Sequence, residues 1–160
     1  MKIIIDGYNL IWAAPELRRK VISEEKPINL KEGRDTLLHS LASYQRGHPK
    51  LDIIVVFDAQ KEVFLYPSLQ SGIKVLYSKG ETADNLIKKI VEDEEKPQET
   101  LVVTSDKELK GRVKERGAQV IGSLTFFKKI SPVKERSPER LNNQQENLIK
   151  EELKRTYKIE

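Results

Sequence analysis

The sequence predicts an α/β fold, a three-layer α/β/α sandwich around a central and mainly parallel sheet. Its short apolar runs are continuous rather than alternating, which is typical of strands buried on both faces. The segments between these runs have helical spacing, so strands and helices alternate along the chain. At 160 residues the chain is long enough to bury a single core in one domain.

Five apolar runs predict the strands of this sheet, the fifth of them weakly. The first run ends at Asp6-Gly7, a pair that is common in turns, and the second is also followed by an acid, Asp58. The predicted strands are residues 2–6, 51–57, 73–77, 100–104 and 119–121.

Four helices are predicted between and after these strands. The first begins at Leu30, follows a stripe of leucines and stops near Gly47. The other three begin after side chains that can accept hydrogen bonds from the free N–H groups of a helix start. The candidate caps are Thr82, then Ser105 or Asp106, and finally Ser123.

Residues 131–160 differ in character from the rest of the chain. Proline and basic residues make 131–137 a predicted linker, and an apolar stripe with helical spacing follows it. We therefore expect a domain of residues 1–130, and a linker with a C-terminal helix in residues 131–160. This helix is expected to fold back on the domain or to contact a partner.

The absence of Cys excludes disulfide bonds, thiolate zinc sites and thiol catalysis. His39 and His48 are the only imidazoles, which argues against a multi-histidine metal site. His39 lies on the apolar face of a predicted helix and is expected to be structural, whereas His48 is expected to be exposed in a turn. A metal would therefore be held by oxygen atoms, which favours Mg²⁺ or Mn²⁺.

The net charge of +4 is unevenly distributed along the chain. Residues 51–127 hold 11 basic and 13 acidic side chains, whereas residues 1–50 and 128–160 each hold nine basic and six acidic ones. This pattern predicts an acidic site flanked by basic segments, which suits a polyanionic partner. No apolar run approaches the roughly 18 residues of a membrane span. Because no signal peptide is recognisable either, we expect a cytoplasmic protein.

Acidic side chains follow four of the predicted strands. The carboxyl ends of parallel strands meet at one edge of a sheet, and ligands bind there. Each acid also has a structural explanation as a turn residue, a helix cap or a partner of a helix dipole. Their recurrence at four strand exits nevertheless predicts that carboxylates converge. The acids are Asp6, Asp58, Asp84 with Glu81 beside it, and Asp106.

Converging carboxylates raise one another's pKa values unless a cation compensates their charge. A divalent cation with oxygen ligands removes this cost, lowers the pKa of a bound water and neutralises charge that builds on a phosphate. These properties suit phosphodiester hydrolysis by in-line attack. Asn9 lies one turn after Asp6, where its amide can orient water or a phosphate, and Glu81 and Asp84 share one helix start.

The segments around these acids resemble the NYN domains, which are nuclease-like relatives of the PIN fold. The opening motif of that family resembles residues 6–11, Asp-Gly-Tyr-Asn-Leu-Ile. The resemblance covers about residues 2–130 and extends to the YacP-like bacterial branch of the family. The further matching segments are residues 15–17 (Pro-Glu-Leu), 56–59 (Val-Phe-Asp-Ala), 81–84 (Glu-Thr-Ala-Asp) and 104–106 (Thr-Ser-Asp).

The resemblance implies a PIN-like α/β/α fold and a metal-dependent endoribonuclease activity, with links to RNA turnover and to the ribosome. Relatives often carry an acid one turn after the aspartate of the third motif, where this chain has Lys88. This departure argues against a strict two-metal site. The implied metal ligands are Asp6, Asp84 and Asp106, with Asn9 and Asp58 as polar groups beside them.

Basic and aromatic side chains near the same motifs are candidate RNA contacts. Lysine and arginine can neutralise phosphates, and an aromatic ring can stack on an unpaired base. The alternatives are a solvated helix face for the basic residues and core packing for Trp12. Ser105 can bind metal or phosphate or cap a helix, and residues 64–66 can form a flap or an edge strand. The candidates are Tyr8, Trp12, Arg18, Arg19, Lys20, Lys79, Lys107 and Lys110.

The main functional hypothesis is a Mg²⁺- or Mn²⁺-dependent endoribonuclease that leaves 5′-phosphate and 3′-hydroxyl ends. The alternative is a non-catalytic RNA- or ribosome-binding adaptor, which has no need of four carboxylates facing RNA. A third hypothesis is a metal-dependent phosphatase or nucleotide hydrolase. The chain lacks a P-loop, a Gly-x-Gly-x-x-Gly fingerprint and an Asp-x-Asp signature, which argues against this third class.

Overall fold

The computed structural model, which describes residues 1–23, 27–59, 68–70 and 72–131, contains one sheet of six strands. The strands are β1 (Lys2–Asp6), β2 (Asp52–Asp58), β3 (Ser68–Gln70), β4 (Ile73–Ser78), β5 (Thr100–Val103) and β6 (Gln119–Ile121). Their order is β3-β4-β2-β1-β5-β6, and every pair is parallel except β3 with β4. The predicted mainly parallel sheet is confirmed, and its five predicted strands end within one residue of the expected positions. The short antiparallel edge strand β3 was not predicted.

The strand order reverses beside β1, which lies between β2 and β5. The chain adds β2 and β4 on one side of β1 before it crosses to β5 and β6 on the other side. Such a reversal opens a crevice outside the carboxyl ends of the two strands that flank it. The topology therefore places the expected ligand site at the carboxyl ends of β1 and β5.

Six α-helices and one short 3₁₀ turn lie between and after the strands in the described part of the chain. The four predicted helices are present, and two further ones of seven residues each lie between β1 and the first predicted helix. Thr82 accepts a hydrogen bond from the Asn85 N–H and Asp106 one from the Leu109 N–H, as expected of helix caps. The helices are α1 (Gly7–Ala13), α2 (Pro15–Val21), α3 (Leu30–Gly47), α4 (Ala83–Glu92), α5 (Lys107–Glu115) and α6 (Ser123–Ile130), and the 3₁₀ turn is Pro97–Glu99.

The sheet buries both of its faces, which produces the three predicted layers. Ile3 and Ile5 of β1 pack in a core with residues of α1, α2, α3 and α6. Ile4 points the other way and packs with residues of α4 and α5, including Ile87 and Leu109. Because successive side chains of a strand alternate between faces, a continuous apolar strand serves two cores at once.

Gly7 begins α1 immediately after β1, so Asp6-Gly7 is a strand-to-helix junction rather than the expected turn. A Cβ atom at this position would lie 2.4 Å from the Phe57 ring. The ring of Tyr8 packs on the same phenylalanine with its centroid 4.9 Å away. Glycine therefore allows α1 to begin against β2, directly beside the last residue of β1.

The two histidines lie on the surface. His39 is exposed, so the expectation that it is structural is wrong, because the buried side of α3 follows Leu37, Leu38 and Leu41 and His39 faces outward. His48 is exposed as predicted, and its Nδ1 lies 3.0 Å from the Tyr44 carbonyl oxygen. No helix within the described ranges is long and apolar enough to cross a membrane.

Residues 64–66 and the predicted linker and helix after Ser131 lie outside the described residues. The described fold belongs to a unit that comprises Met1–Ile130. The division into a domain of residues 1–130 and a segment of residues 131–160 stays a prediction.

Candidate active site

The carboxyl edge of the sheet carries the acids that follow the strands. Asp6 is the last residue of β1, and Asp58 is the last residue of β2, its parallel neighbour. Asp84 lies in the first turn of α4, and Asp106 is the residue that caps α5 after β5. Four elements that are distant in sequence therefore present carboxylates at one end of the sheet.

Asp6 lies at the centre of this edge and is only 7% exposed. The Thr104 hydroxyl donates a hydrogen bond of 3.1 Å to its Oδ2 atom. Burial raises the pKa of Asp6 to about 7, with further increases from the charges of Asp84 and Asp106. The Thr104 hydroxyl and the backbone N–H of Asn9 lower this pKa in part. A buried carboxyl group with a pKa near neutrality is a feature of functional sites.

Asp84 shares this electrostatic environment. Burial raises its pKa, and the negative charge of Asp106 raises it further. The Lys88 ammonium lowers the pKa of Asp84, whereas Glu108 and Asp58 raise it. Asp84 thus interacts through space with each of the other three predicted aspartates, and also with Glu108 in the first turn of α5. Glu108 was not among the candidate residues because it is the second residue of α5 and does not directly follow a strand.

Asn9 connects the first motif to the β5–α5 loop and to α6. Its Oδ1 atom accepts hydrogen bonds from the Ser105 N–H at 2.8 Å and from the Ser123 hydroxyl at 2.7 Å. The Ser123 N–H in turn donates to the Ser105 hydroxyl oxygen at 3.2 Å. Ser123 was expected to cap α6 with its hydroxyl, but this hydroxyl donates into the site instead.

Thr104 and Ser123 are polar site residues that the sequence reasoning missed. Both side chains are fully buried. The Thr104 hydroxyl oxygen also accepts the Asp106 N–H at 3.1 Å, which ties the ends of β1 and β5 together. Thr104 belongs to the fourth motif, but its role in the site is visible only from its hydrogen bond to Asp6 in the folded structure.

The remaining candidate acids have different surroundings. Glu81 Oε1 lies 2.8 Å from the Lys89 ammonium, so its nearest charged partner is on α4. Asp58 is half-buried and takes part in further interactions beside its effect on Asp84. These two acids form the outer part of the group around Asp6, Asp84 and Asp106.

The donor chemistry of the site fits a hard divalent cation, since its ligands are carboxylate oxygens. Within the described residues, no three Asp, Glu or His side chains are arranged as a closed metal-binding group. Mg²⁺ commonly binds through one or two carboxylates and retains several waters. The raised pKa values of Asp6 and Asp84 indicate that a cation would relieve their repulsion.

The aromatic candidates for RNA contact have different exposures. Trp12, at 39% exposed, lies near the end of α1, and the Arg18 guanidinium donates to its carbonyl oxygen at 3.0 Å. Tyr8 is half-buried, and its hydroxyl accepts a hydrogen bond of 2.8 Å from the buried Arg34. Trp12 is thus partly exposed at the surface, whereas Tyr8 of α1 contacts Arg34 of α3 and Phe57 of β2.

The basic candidates are distributed over α2, the loop after β4 and the first turns of α5. Arg19 and Lys20 are exposed on α2, Lys79 is exposed after β4, and Lys107 is exposed at the start of α5. Lys110, one turn further along α5, is half-buried. The buried Arg34 was missed by the sequence reasoning, although an arginine within the apolar stripe of α3 is a visible signal.

A family model describes nearly the whole chain. The model of the YacP-like NYN domain matches residues 3–159. The chain belongs to the YacP-like NYN domain family. This membership confirms the resemblance seen in the motifs and includes the chain among PIN-like ribonucleases.

Solved structures of a family member have the same fold as this YacP-like NYN domain. A crystal structure of Rae1 (YacP) from Bacillus subtilis, in a tryptophan-to-leucine variant, is 24% identical, with a TM-score of 0.65. That match covers 94% of this chain and 91% of the other. A second crystal structure of Rae1 (YacP) from Bacillus subtilis is 22% identical, has a TM-score of 0.63, and is matched over 97% of this chain and 83% of that one. No curated protein matches significantly.

Proposed function

We propose that this protein is a divalent-metal-dependent endoribonuclease that hydrolyses RNA phosphodiester bonds, with Mg²⁺ or Mn²⁺ as its cofactor. The observation that supports this most is the buried Asp6 at the reversal point of the sheet, in electrostatic contact with Asp84 and Asp106. Membership of a family of PIN-like ribonucleases supports the same class of reaction.

Asp6, Asp84 and Asp106 are the residues that would hold the cation. When bound, such an ion supplies charge neutralisation for the phosphate and lowers the pKa of a water molecule. Thr104 fixes the orientation of the Asp6 carboxylate through its hydrogen bond to Oδ2. Asp106 uses Oδ1 to cap α5, and no described residue donates to its other oxygen. That second oxygen is free to face the site.

In the proposed reaction, a water oxygen forms a bond to phosphorus and the bond from phosphorus to the 3′-oxygen breaks. The water gives up a proton and the 3′-oxygen takes one and leaves as a hydroxyl group, so the products carry 5′-phosphate and 3′-hydroxyl ends. Asn9 and Asp58 support the reacting groups from beside the ligands. Cleavage that uses the RNA 2′-hydroxyl instead would leave a cyclic phosphate, so end analysis distinguishes the two routes.

The basic surface residues are proposed to hold the RNA backbone, and Trp12 to stack on a base. The set comprises Arg18, Arg19, Lys20, Lys79, Lys107 and Lys110. The family resemblance extends the proposal to ribosome-associated RNA in the cytoplasm, and cosedimentation with ribosomes tests that extension. Retention of the protein in ribosomal fractions at low salt but not at high salt is the expected result.

The adaptor hypothesis remains the second candidate. It predicts salt-dependent RNA binding without cleavage at any metal concentration. The buried Asp6 argues for the enzyme. Burying an acid beside two others lowers stability unless a cation compensates their charge, and RNA binding alone does not require this arrangement.

The test uses end-labelled RNA, with and without EDTA, and the variant Asp6→Asn. The matched control is Asp52→Asn, which changes an exposed carboxylate at the opposite end of the sheet. We expect cleavage by the wild type and by the control, and none with EDTA or with Asp6→Asn. Cleavage that persists in both conditions would refute the metal role. A panel of small phosphate esters is expected to remain uncleaved, and hydrolysis of these esters without RNA cleavage would support the phosphatase hypothesis.

A further inference from the structure

The side-chain amide of Asn9 has a defined orientation. The Ser105 backbone N–H can only donate, so the Asn9 atom that it contacts at 2.8 Å must be the oxygen. The Ser123 hydroxyl donates to the same oxygen at 2.7 Å. Two donors therefore occupy both lone pairs of Oδ1, and this fixes the amide nitrogen on the other side.

This orientation limits what Asn9 can do. An oxygen with both lone pairs engaged is a poor metal ligand, whereas the NH₂ group can donate two hydrogen bonds. Among the described residues none accepts a hydrogen bond from this nitrogen. Asn9 is half-buried, and its oxygen is already engaged by two donors, so the nitrogen is the part of the amide that remains for a ligand.

We propose that the Asn9 NH₂ group donates to a non-bridging phosphate oxygen of the RNA, and that Ser123 is the positioning residue that holds it in this orientation. This inference rests on the proposed function, since it assigns a substrate contact at the same edge of the sheet. It also assigns a role to the start of α6, which no acidic motif includes.

The β6–α6 junction is built to hold this orientation. The Ser123 N–H donates to the Ser105 hydroxyl oxygen at 3.2 Å, and the Thr104 N–H donates to the Ile121 carbonyl at 3.1 Å. Ser123, Ser105 and Asn9 thus form a closed set of three hydrogen bonds among α6, the β5–α5 loop and α1. Closed sets of this kind restrict each member more than a single bond does.

The kinetic test compares Asn9→Ala, Ser123→Ala and the double variant with Ser43→Ala, an exposed serine on α3, as the control. Loss of one preorganised donor lowers kcat about 100-fold, so we expect this effect for Asn9→Ala. We expect about a 10-fold loss of kcat for Ser123→Ala, because this variant removes one hydrogen bond, and a net contribution of about 1.4 kcal/mol corresponds to a tenfold change. In the double variant Ser123→Ala should add less than about twofold, because its effect acts through Asn9. Ser123→Thr, which restores the hydroxyl, should recover activity.

Additive losses in the double variant would overturn the positioning role of Ser123. Mn²⁺ affinity, measured by calorimetry without RNA, should be unchanged in Asn9→Ala, and a 10-fold loss of that affinity would show that Asn9 is a metal ligand instead. The double-variant kinetics and the Mn²⁺ affinity can both be interpreted whether or not Ser123→Thr folds.

A second measurement does not depend on cleavage. The Asn9 side-chain amide signals, assigned by their absence in Asn9→Ala, are followed by ¹⁵N NMR during addition of a short RNA in EDTA. We expect these signals to shift on binding, and to shift less in Ser123→Ala. Unmoved Asn9 signals while other residues respond would refute the contact. An inactive wild type with a shifted Asn9 amide would refute the nuclease function but retain the phosphate contact.

Discussion

The two ends of the sheet are both rich in carboxylates, yet they differ in what surrounds them. At the amino end, an open cavity of about 430 Å³ has lysines among its acids, and Lys2 pairs with Glu94. The acids that line it are Asp52, Asp93, Glu94, Glu95 and Glu99, beside Lys2, Lys50 and Lys96. At the carboxyl end, Asp6 is buried, and Asp84 and Asp106 raise its pKa.

This difference shows that the number of acids does not define a site. Lysines at the amino end offset charge locally, as on an ordinary protein surface. At the carboxyl end the cation that lowers the pKa of Asp84 is Lys88, and it does not offset the combined effect of burial and of Asp106, since that pKa remains raised. The carboxyl end therefore retains an excess of negative charge, which a divalent ion would compensate.

The largest expected effect is on stability as a function of pH, in the metal-free protein. The folded-state pKa of Asp6, about 7, exceeds its ordinary value of 3.8, so the folded state binds more protons between these values. Stability should therefore fall as pH rises from about 4 to above 7, by on the order of 4 kcal/mol. Urea unfolding in EDTA at several pH values measures this.

Asp6→Asn should flatten this pH dependence and raise stability at pH 8, because it removes the buried charge. Asp52→Asn, at the amino end, should leave it as in the wild type. If stability depended on pH as steeply in Asp6→Asn as in the wild type, the effect would come from other titratable groups. The proposed contrast between the amino and carboxyl ends of the sheet would then be lost.

A somewhat smaller effect is expected from divalent ions. Mn²⁺ at 100 times its dissociation constant should raise the free energy of unfolding by about 2.7 kcal/mol, since it binds only the folded state. Asp84→Asn should abolish most of this gain, and Glu94→Gln at the amino end should retain it. Thermal unfolding with and without Mn²⁺ provides the measurement, and a gain lost only in Glu94→Gln would reverse the comparison.

The smallest effects concern single polar contacts. Tyr8→Phe leaves the buried Arg34 without its hydroxyl partner and should cost about 1.5 kcal/mol. Lys2→Met, which removes the ion pair with Glu94 at the amino end, should cost less than about 1 kcal/mol. Denaturant unfolding of the two variants gives both values, and a larger cost for Lys2→Met would contradict the account.

The sequence predicts the sheet well because buried parallel strands are continuous apolar runs. The strand positions and the caps Thr82 and Asp106 follow from local patterns. It fails for α1 and α2, since seven-residue helices have too few turns to show a periodic stripe. It also fails for β3, whose three residues form a strand only through pairing with β4.

The site residues also divide into those that local sequence patterns predict and those that depend on long-range contacts. The aspartates were found because each follows a strand, and the parallel topology then brings them together. Thr104, Ser123 and Arg34 could not be assigned in this way, because their roles depend on partners 98, 114 and 26 positions away. Long-range hydrogen bonds leave no local pattern, so only the fold identifies them.

The most direct test of the central claim is the position of a bound ion. Crystals of the full chain soaked in Mn²⁺ give an anomalous peak wherever the ion binds. We predict a peak at the carboxyl edge, coordinated by oxygens from among Asp6, Asp84 and Asp106. A peak confined to the amino-end cavity, or none at saturating Mn²⁺, would contradict the claim that the converging carboxylates form the metal site.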